Sequence, residues 1–391
     1  MKRVNHWLLA AIAAVLVASW AVSPVCAVIP PDPDNAALLY YQAFISLPDL
    51  DKEARDHIGH VATGEVPPTE ATREYIEKCH GAIVLADAAR PLRICNWGFR
   101  YSQGFEAVMP YLAQIRFLSY VLLADARVRA LDGDYKGALE RCLQTDRLAR
   151  HVGDETLISY LVALAVRRIE YDCMQETIGL AAGDAPLLQW LRSELVAASG
   201  KGLSPTAALK VEMEIALNLM QMDKLDKLAG ILADAGQKEK DMVKSLASAD
   251  EPTLERARQL YSQYFMSALA ILSGSKPYEQ AYLELNTLVS DLDAKDPASV
   301  VVGTLAPALG ATLSVKTSVE ACANATKAAV ELCLQRAEAG RFPEVLPEGL
   351  PKDPFSGKDF QYERTRAGFL LRCRGKDLSK DKTYEYTFAL K

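Results

Sequence analysis

Leu350-Pro351-Lys352-Asp353-Pro354-Phe355-Ser356-Gly357-Lys358, followed by Gln361-Tyr362-Glu363-Arg364 and Gly368-Phe369-Leu370-Leu371, decides how the end of this chain folds. Pro354 stiffens a turn, and Gly357 supplies the positive φ that lets the chain leave it. Beyond the turn, three short runs alternate apolar with polar residues: Phe360 and Tyr362; Phe369, Leu371 and Cys373; Tyr384, Tyr386, Phe388 and Leu390. Period-two alternation predicts a three-stranded β-meander with one buried face. Just upstream, Val315, Val319, Cys322, Thr326, Ala329 and Cys333 recur at helical spacing, and Gly340 closes the helix. The buried face of the meander is expected to cover that stripe, so residues 316–391 read as one long helix plus a small sheet.

The body before it reads as helices joined by short loops. Asn35 starts a helix that ends before Pro48, residues 59–69 hold two glycines and two prolines and read as a loop, and a single helix is expected from Thr69 to Ala89. Tyr111, Ile115, Leu118, Leu122 and Ala126 form one stripe; Ala138, Cys142, Ala149 and Val152 a second; Ile158, Val162, Ala165, Ile169 and Cys173 a third. Short connections at Asp132-Gly133-Asp134 and Gly153-Asp154 imply antiparallel packing. A long helix is expected over 206–246, with Met213, Met220 and Met222 filling core, and further helices over 252–272 and 278–292. Residues 297–315 carry no charge except Asp296 just before them; Gly303, Pro307 and Gly310 make them read as a loop and a close-packed buried segment, not a lipid span. The fold class is therefore mainly α, an antiparallel helical bundle or hairpin array with a small C-terminal α+β module. The expected domains are 1–27 (signal peptide or membrane anchor), 28–315 (helical) and 316–391 (helix plus β-meander).

The formal net charge of -6 with interspersed signs argues against a nucleic-acid partner, which needs clustered cations to neutralise phosphates. Lys2 and Arg3, the apolar run from Trp7 to Val22 and the small residues Val25-Cys26-Ala27 have the layout of an export signal. Whether it is cleaved or kept as an anchor stays open, so membrane contact is expected only through this segment. Export permits disulfides. Cys79 and Cys95 are the one expected pair, while Cys142, Cys173, Cys322 and Cys333 read as small buried hydrophobes.

No residue is singled out as catalytic, cofactor-binding or metal-binding, and no cofactor is expected. His57, His60, Cys79 and His80 are the candidates for a transition-metal cluster, but surface histidines and a packed cysteine account for them equally well. No nucleophile elbow or phosphate loop is present. His151 lies at a helix C-terminus, where a cation is well placed. Asp32, Asp34 and Asn35, or Asp377 and Asp381, could offer oxygens to calcium, although Lys376, Lys380 and Lys382 crowd the second group. Arg364, Arg366, Arg372 and Arg374 read as a solvated sheet face that discourages strand addition, or as a patch for an acidic partner.

Three resemblances enter here. Asp132-Gly133-Asp134-Tyr135-Lys136-Gly137-Ala138-Leu139-Glu140 resembles the inter-helix turn of one tetratricopeptide repeat, without a second copy that would make an array. Phe342-Pro343, Asp353-Pro354-Phe355-Ser356-Gly357, Phe360, Tyr362 and Gly375-Lys376-Asp377 resemble the C-terminal module of the type II secretion major pseudopilin. No prepilin-type start precedes Trp7, so the module reads as reused. Asn35-Ala36-Ala37-Leu38-Leu39-Tyr40-Tyr41, Cys95-Asn96-Trp97-Gly98, Gly153-Asp154-Glu155-Thr156-Leu157-Ile158 and the tail together resemble an exported, helical protein family of planctomycete-type bacteria to which no activity is attached. These imply an exported envelope protein with a non-enzymatic protein-binding or scaffold role and protein partners in the envelope. The alternatives are a hydrolase or metal-dependent enzyme whose site is not visible in sequence, and an accessory of a type II secretion-like system.

Overall fold

Asn35 sets the first helix. Its side-chain oxygen accepts from the Ala37 N–H at 3.1 Å, capping α1 (Ala36–Ser46). The computed structural model describes residues 32–199, 203–224, 250–293 and 295–390. From there the chain runs through α2 (Lys52–Thr63), α3 (Glu70–Lys78), α4 (His80–Ala89), α5 (Tyr111–Leu131), α6 (Tyr135–Val152), α7 (Leu157–Leu180), α8 (Ala185–Ser199) and α9 (Pro205–Leu219). It continues with α10 (Glu251–Ser273), α11 (Tyr278–Ser290), α12 (Pro297–Leu305) and α13 (Leu309–Ala339), then β1 (Gln361–Thr365), β2 (Gly368–Arg372) and β3 (Glu385–Ala389). The protein is mainly α-helical with a small C-terminal antiparallel sheet, in the order β1-β2-β3. The expected leader over 1–27 and the part of the expected 206–246 helix beyond residue 224 lie outside the described residues.

The helices deviate from the sequence reading in four places. α2 passes straight through Gly59, and it is Gly64, at φ 79°, that ends it. The expected helix from Thr69 to Ala89 is two helices, because Cys79 leaves helical register; this lets α3 pack on α5 while α4 packs on α1. Residues 297–305 are a helix rather than a loop, with Pro297 at the first turn where its missing N–H costs nothing. The break at Pro307 is satisfied from α10: Tyr261 donates to the Leu305 carbonyl at 3.2 Å and Tyr264 to the Pro307 carbonyl at 2.9 Å. α13 accordingly starts at Leu309 rather than near Lys316. The span Pro297–Ala339 is apolar and long enough to cross a membrane by composition, yet half of its most apolar window is buried inside the protein.

The third stripe was misplaced. Ile158 is 56% exposed and Ala165 faces outward, whereas Tyr160, Leu164, Tyr171, Met174 and Ile178 are buried. α7 touches α2, α5, α6, α9, α13 and β3, so it has no single apolar face for a stripe to report. The first two stripes match the buried faces of α5 and α6. These three helices separate two cores: one holds α1–α4, and the other holds α8–α13 and the sheet.

The meander belongs to the second core. Phe369, Leu371, Tyr386 and Phe388 are buried, and Glu385, Thr387 and Ala389 face out, as alternation requires. Its backbone comes so close to α7 that a Cβ at Gly179 would sit 2.5 Å from the Ala389 carbonyl oxygen. Asp353 organises the turn before it. The fully buried carboxylate accepts from the N–H groups of Phe355, Arg374 and Gly375 and from the Ser356 hydroxyl, at 2.6–2.9 Å.

Candidate functional site

Three helices bring charge into the interior. α6 contributes Asp146 and Arg150, one turn apart. α7 contributes Tyr160, Arg167, Glu170 and Tyr171, and α13 contributes Lys316, Glu320 and Lys327. Together with Leu143, Leu164, Leu195 and Val319 they line a cavity of about 260 Å³. Asp146, Arg150, Arg167 and Glu170 lie largely buried here, which is unusual because burying charge is costly unless each is paired.

The pairing is incomplete. One carboxylate, Asp146, serves two guanidiniums. Its Oδ2 lies 2.7 Å from Arg150, and its Oδ1 lies 2.9 Å from Arg167 Nε. The second approach is close but misdirected, so neither Oδ1 nor that Nε makes a hydrogen bond. Arg167 spends another N–H on the Tyr171 hydroxyl at 2.8 Å, and Arg150 donates to the Ala198 carbonyl at 3.1 Å. Glu170 is 1% exposed, and neither of its oxygens has a hydrogen-bond partner. Burial, then the charge of Asp146, push its carboxyl well above the usual range against the pull of Arg167 and Arg150, which favours the protonated, uncharged acid. The fully buried Tyr160 hydroxyl also has no partner, and burial raises it further. Half-buried Lys327 is lowered by burial and by Arg167 and Arg150, and among the described residues no carboxylate forms an ion pair with it. At the rim Lys316 pairs with half-exposed Glu320 at 2.7 Å. A second cavity of about 330 Å³ shares Leu195 and Lys327 with the first and reaches Gly349, Leu350 and Pro351.

No protein-family model, curated protein or solved structure matches this chain.

Among the described residues lining the first cavity there is no Ser, Thr, Cys or His. Its polar lining consists of the carboxyls of Asp146, Glu170 and Glu320, the guanidiniums of Arg150 and Arg167, the ammoniums of Lys316 and Lys327, the phenols of Tyr160 and Tyr171, and the Asn324 amide.

The residues flagged in the sequence do not converge on it. His57 bonds to the Thr72 hydroxyl at 2.8 Å and His60 to the Glu65 carboxylate at 2.5 Å, while Cys79 is buried away from both. Among the described residues no group of His, Cys, Asp and Glu is placed to hold a metal. The expected Cys79–Cys95 bridge is absent: both are free thiols. Cys79 is locked in the α3–α4 joint, close to where Gly81 meets Ser46 at the end of α1, and Cys95 follows Ile94, whose backbone pairs with Asn35 at the start of α1, so the two are held at opposite ends of that helix. Asn35 spends its side chain on Ala37, Asn96 and the Asn96 carbonyl rather than on calcium. Asp377 is fully buried and takes donors from Ser379 and Tyr384 at 2.8–2.9 Å, while Asp381 turns to Lys376. Burial works against the Asp377 charge, but those hydrogen bonds hold its carboxyl below the usual range. In the Arg364, Arg366, Arg372 and Arg374 patch, Arg372 pairs with Glu385 and Arg374 donates to the Asp359 carbonyl. Met213 and Met220 pack in the core, whereas Met222 is exposed.

His151 departs most from expectation. It is buried, not a solvated cation, and is depressed to about 4 by burial and by the Arg147 charge. Its Nε2 lies 3.1 Å from the Leu92 carbonyl, which can only accept, so Nε2 carries the proton and Nδ1 accepts from the Tyr40 hydroxyl at 2.9 Å. Trp97 donates to the His151 carbonyl at 2.7 Å and stacks on Tyr111 and Tyr40, with centroids 4.8 and 5.5 Å apart. Tyr111 and the Trp97 N–H both reach the Glu155 carboxylate. The segments around Asn35, Trp97 and Glu155, far apart in sequence, therefore meet as one aromatic buttress that braces α1 against α5 and α6.

Proposed function

We propose that this chain is a non-enzymatic binding protein of the cell envelope that takes a small polar molecule into the cavity between α6, α7 and α13. Glu170 carries the reading. A buried carboxyl with no hydrogen-bond partner, lining a cavity beside two guanidiniums, calls for a polar guest, because leaving such a group unsatisfied costs about 1–3 kcal/mol. Export rests on the leader-like residues 1–27. The meander is read as structural cladding of α7 and α13 rather than as a secretion-system docking module, since its apolar face is spent on the core.

A library of small anions, cations and neutral polyols, screened by thermal shift against the full chain, tests this. At least one compound should raise the Tm of the wild type and leave a cavity-filling Leu164→Trp protein, folded by circular dichroism, unchanged. Silence from every class would sink the reading. A hydrolase is the second reading on one observation, the buried Glu170 carboxyl without a hydrogen-bond partner, whose burial favours the protonated form a general acid needs. Turnover of the bound compound that Glu170→Gln abolishes would favour it.

A further inference from the structure

The geometry points to a small oxyanion, a carboxylate or a phosphate, as the guest of the α6–α7–α13 cavity; this rests on the binding role proposed above. The cavity holds donors with nothing to give to. Arg167 approaches Asp146 at an angle that leaves its Nε without a hydrogen bond. Lys327 brings an ammonium from α13 that no carboxylate among the described residues pairs with, and Tyr160 brings an unpartnered, fully buried hydroxyl. Lys316 and Glu320 cancel one another at the rim.

Glu170 decides the sign. Ionised, it would repel an anion and could host an ammonium. It faces Asp146 and Arg150 on α6 and Arg167, Tyr171 and Cys173 on its own helix, with Lys327 on the α13 wall. Within that setting its burial and the nearby Asp146 carboxylate keep it uncharged, so it presents an O–H as one more donor. Arg167 Nε and the Tyr160 hydroxyl are unpartnered and Lys327 has no carboxylate partner among the described residues, so an anion would accept where the protein does not. A ligand oxygen that accepts from Glu170, Tyr160 and Lys327 together would satisfy each of them with a charge-assisted bond. Size sets the scale. A cavity of about 260 Å³ has room for a phosphate or a short dicarboxylate.

Isothermal titration of the full chain with inorganic phosphate, succinate, putrescine and glycerol tests the assignment. Phosphate or succinate should bind, and which of the two binds more tightly assigns the headgroup. Lys327→Met and Lys327→Gln should each weaken that binding roughly ten- to hundredfold while leaving the circular dichroism spectrum unchanged. Binding of putrescine or glycerol alone would overturn the oxyanion assignment and leave the binding role standing. Anion binding that both Lys327 variants retain would also overturn it, by placing the anion elsewhere. Binding of none of the four, with no hit in the wider library, would remove the binding role itself.

Discussion

Replacing His151 by Gln should make the protein more resistant to acid. The imidazole is held neutral by burial and by Arg147, so its proton affinity falls from the ordinary 6.5 to about 4 in the fold. The unfolded chain keeps the ordinary value and takes up a proton first. Stability contributed by the neutral ring is therefore complete above pH 6.5 and is lost as the pH falls toward 4. With about 1.4 kcal/mol for each factor of ten in proton affinity, the wild type should lose about 2.5 kcal/mol through this one group between pH 8 and pH 4.5. Gln keeps an N–H for the Leu92 carbonyl and an oxygen for Tyr40 but cannot be protonated. Urea unfolding of both proteins at the two pH values isolates the difference, because every other titrating group is common to both. Wild-type and variant acid losses that agree within about 0.5 kcal/mol would refute the neutral, buried histidine, a margin set by ordinary errors of extrapolation.

Glu170→Gln should behave in the opposite direction. A carboxyl raised in the fold stabilises most below the ordinary carboxylate range and loses that contribution as pH rises, so the variant should gain Tm over the wild type at pH 9 and not at pH 4.5 in differential scanning calorimetry. Asp353→Ala strips the acceptor from three backbone N–H groups and a serine, and should cost about 2–4 kcal/mol by urea titration. Gly179→Ala inserts a methyl against the Ala389 carbonyl and should cost about 1–3 kcal/mol, with β3 amides exchanging faster than those of α5.

The tail was legible because two different periods met there: a helical stripe, then three runs of strict alternation around a Pro–Gly turn. The stripes of α5 and α6 were legible because their apolar residues recur at helical spacing, even though α5 faces both cores. α7 was not, since five helices and a strand surround it and its buried face includes Arg167, Glu170 and two tyrosines. A reader of hydropathy discards such positions as surface. The cavity was invisible for that reason: Asp146, Arg167, Glu170 and Lys327 look like ordinary solvated charges until α13, some 150 residues downstream, is laid across them. The one available signal was the density of ionisable residues in 146–171 within a helix expected to be buried. His151 failed differently. A helix C-terminus does suit a cation, but Tyr40 and Trp97 reach this one from more than fifty residues away and bury it.

The seat of β3 on α7 at Gly179 has a consequence for how this protein must be made. The first residue of that contact emerges from the ribosome some two hundred positions before its partner, Ala389, so this seat on α7 stays open until β3 has been made. A product that stops short of residue 385 lacks β3 and leaves that part of α7 uncovered. For a chain read as exported, late closure is an advantage, because a polypeptide that cannot lock its fold early stays threadable until it has crossed.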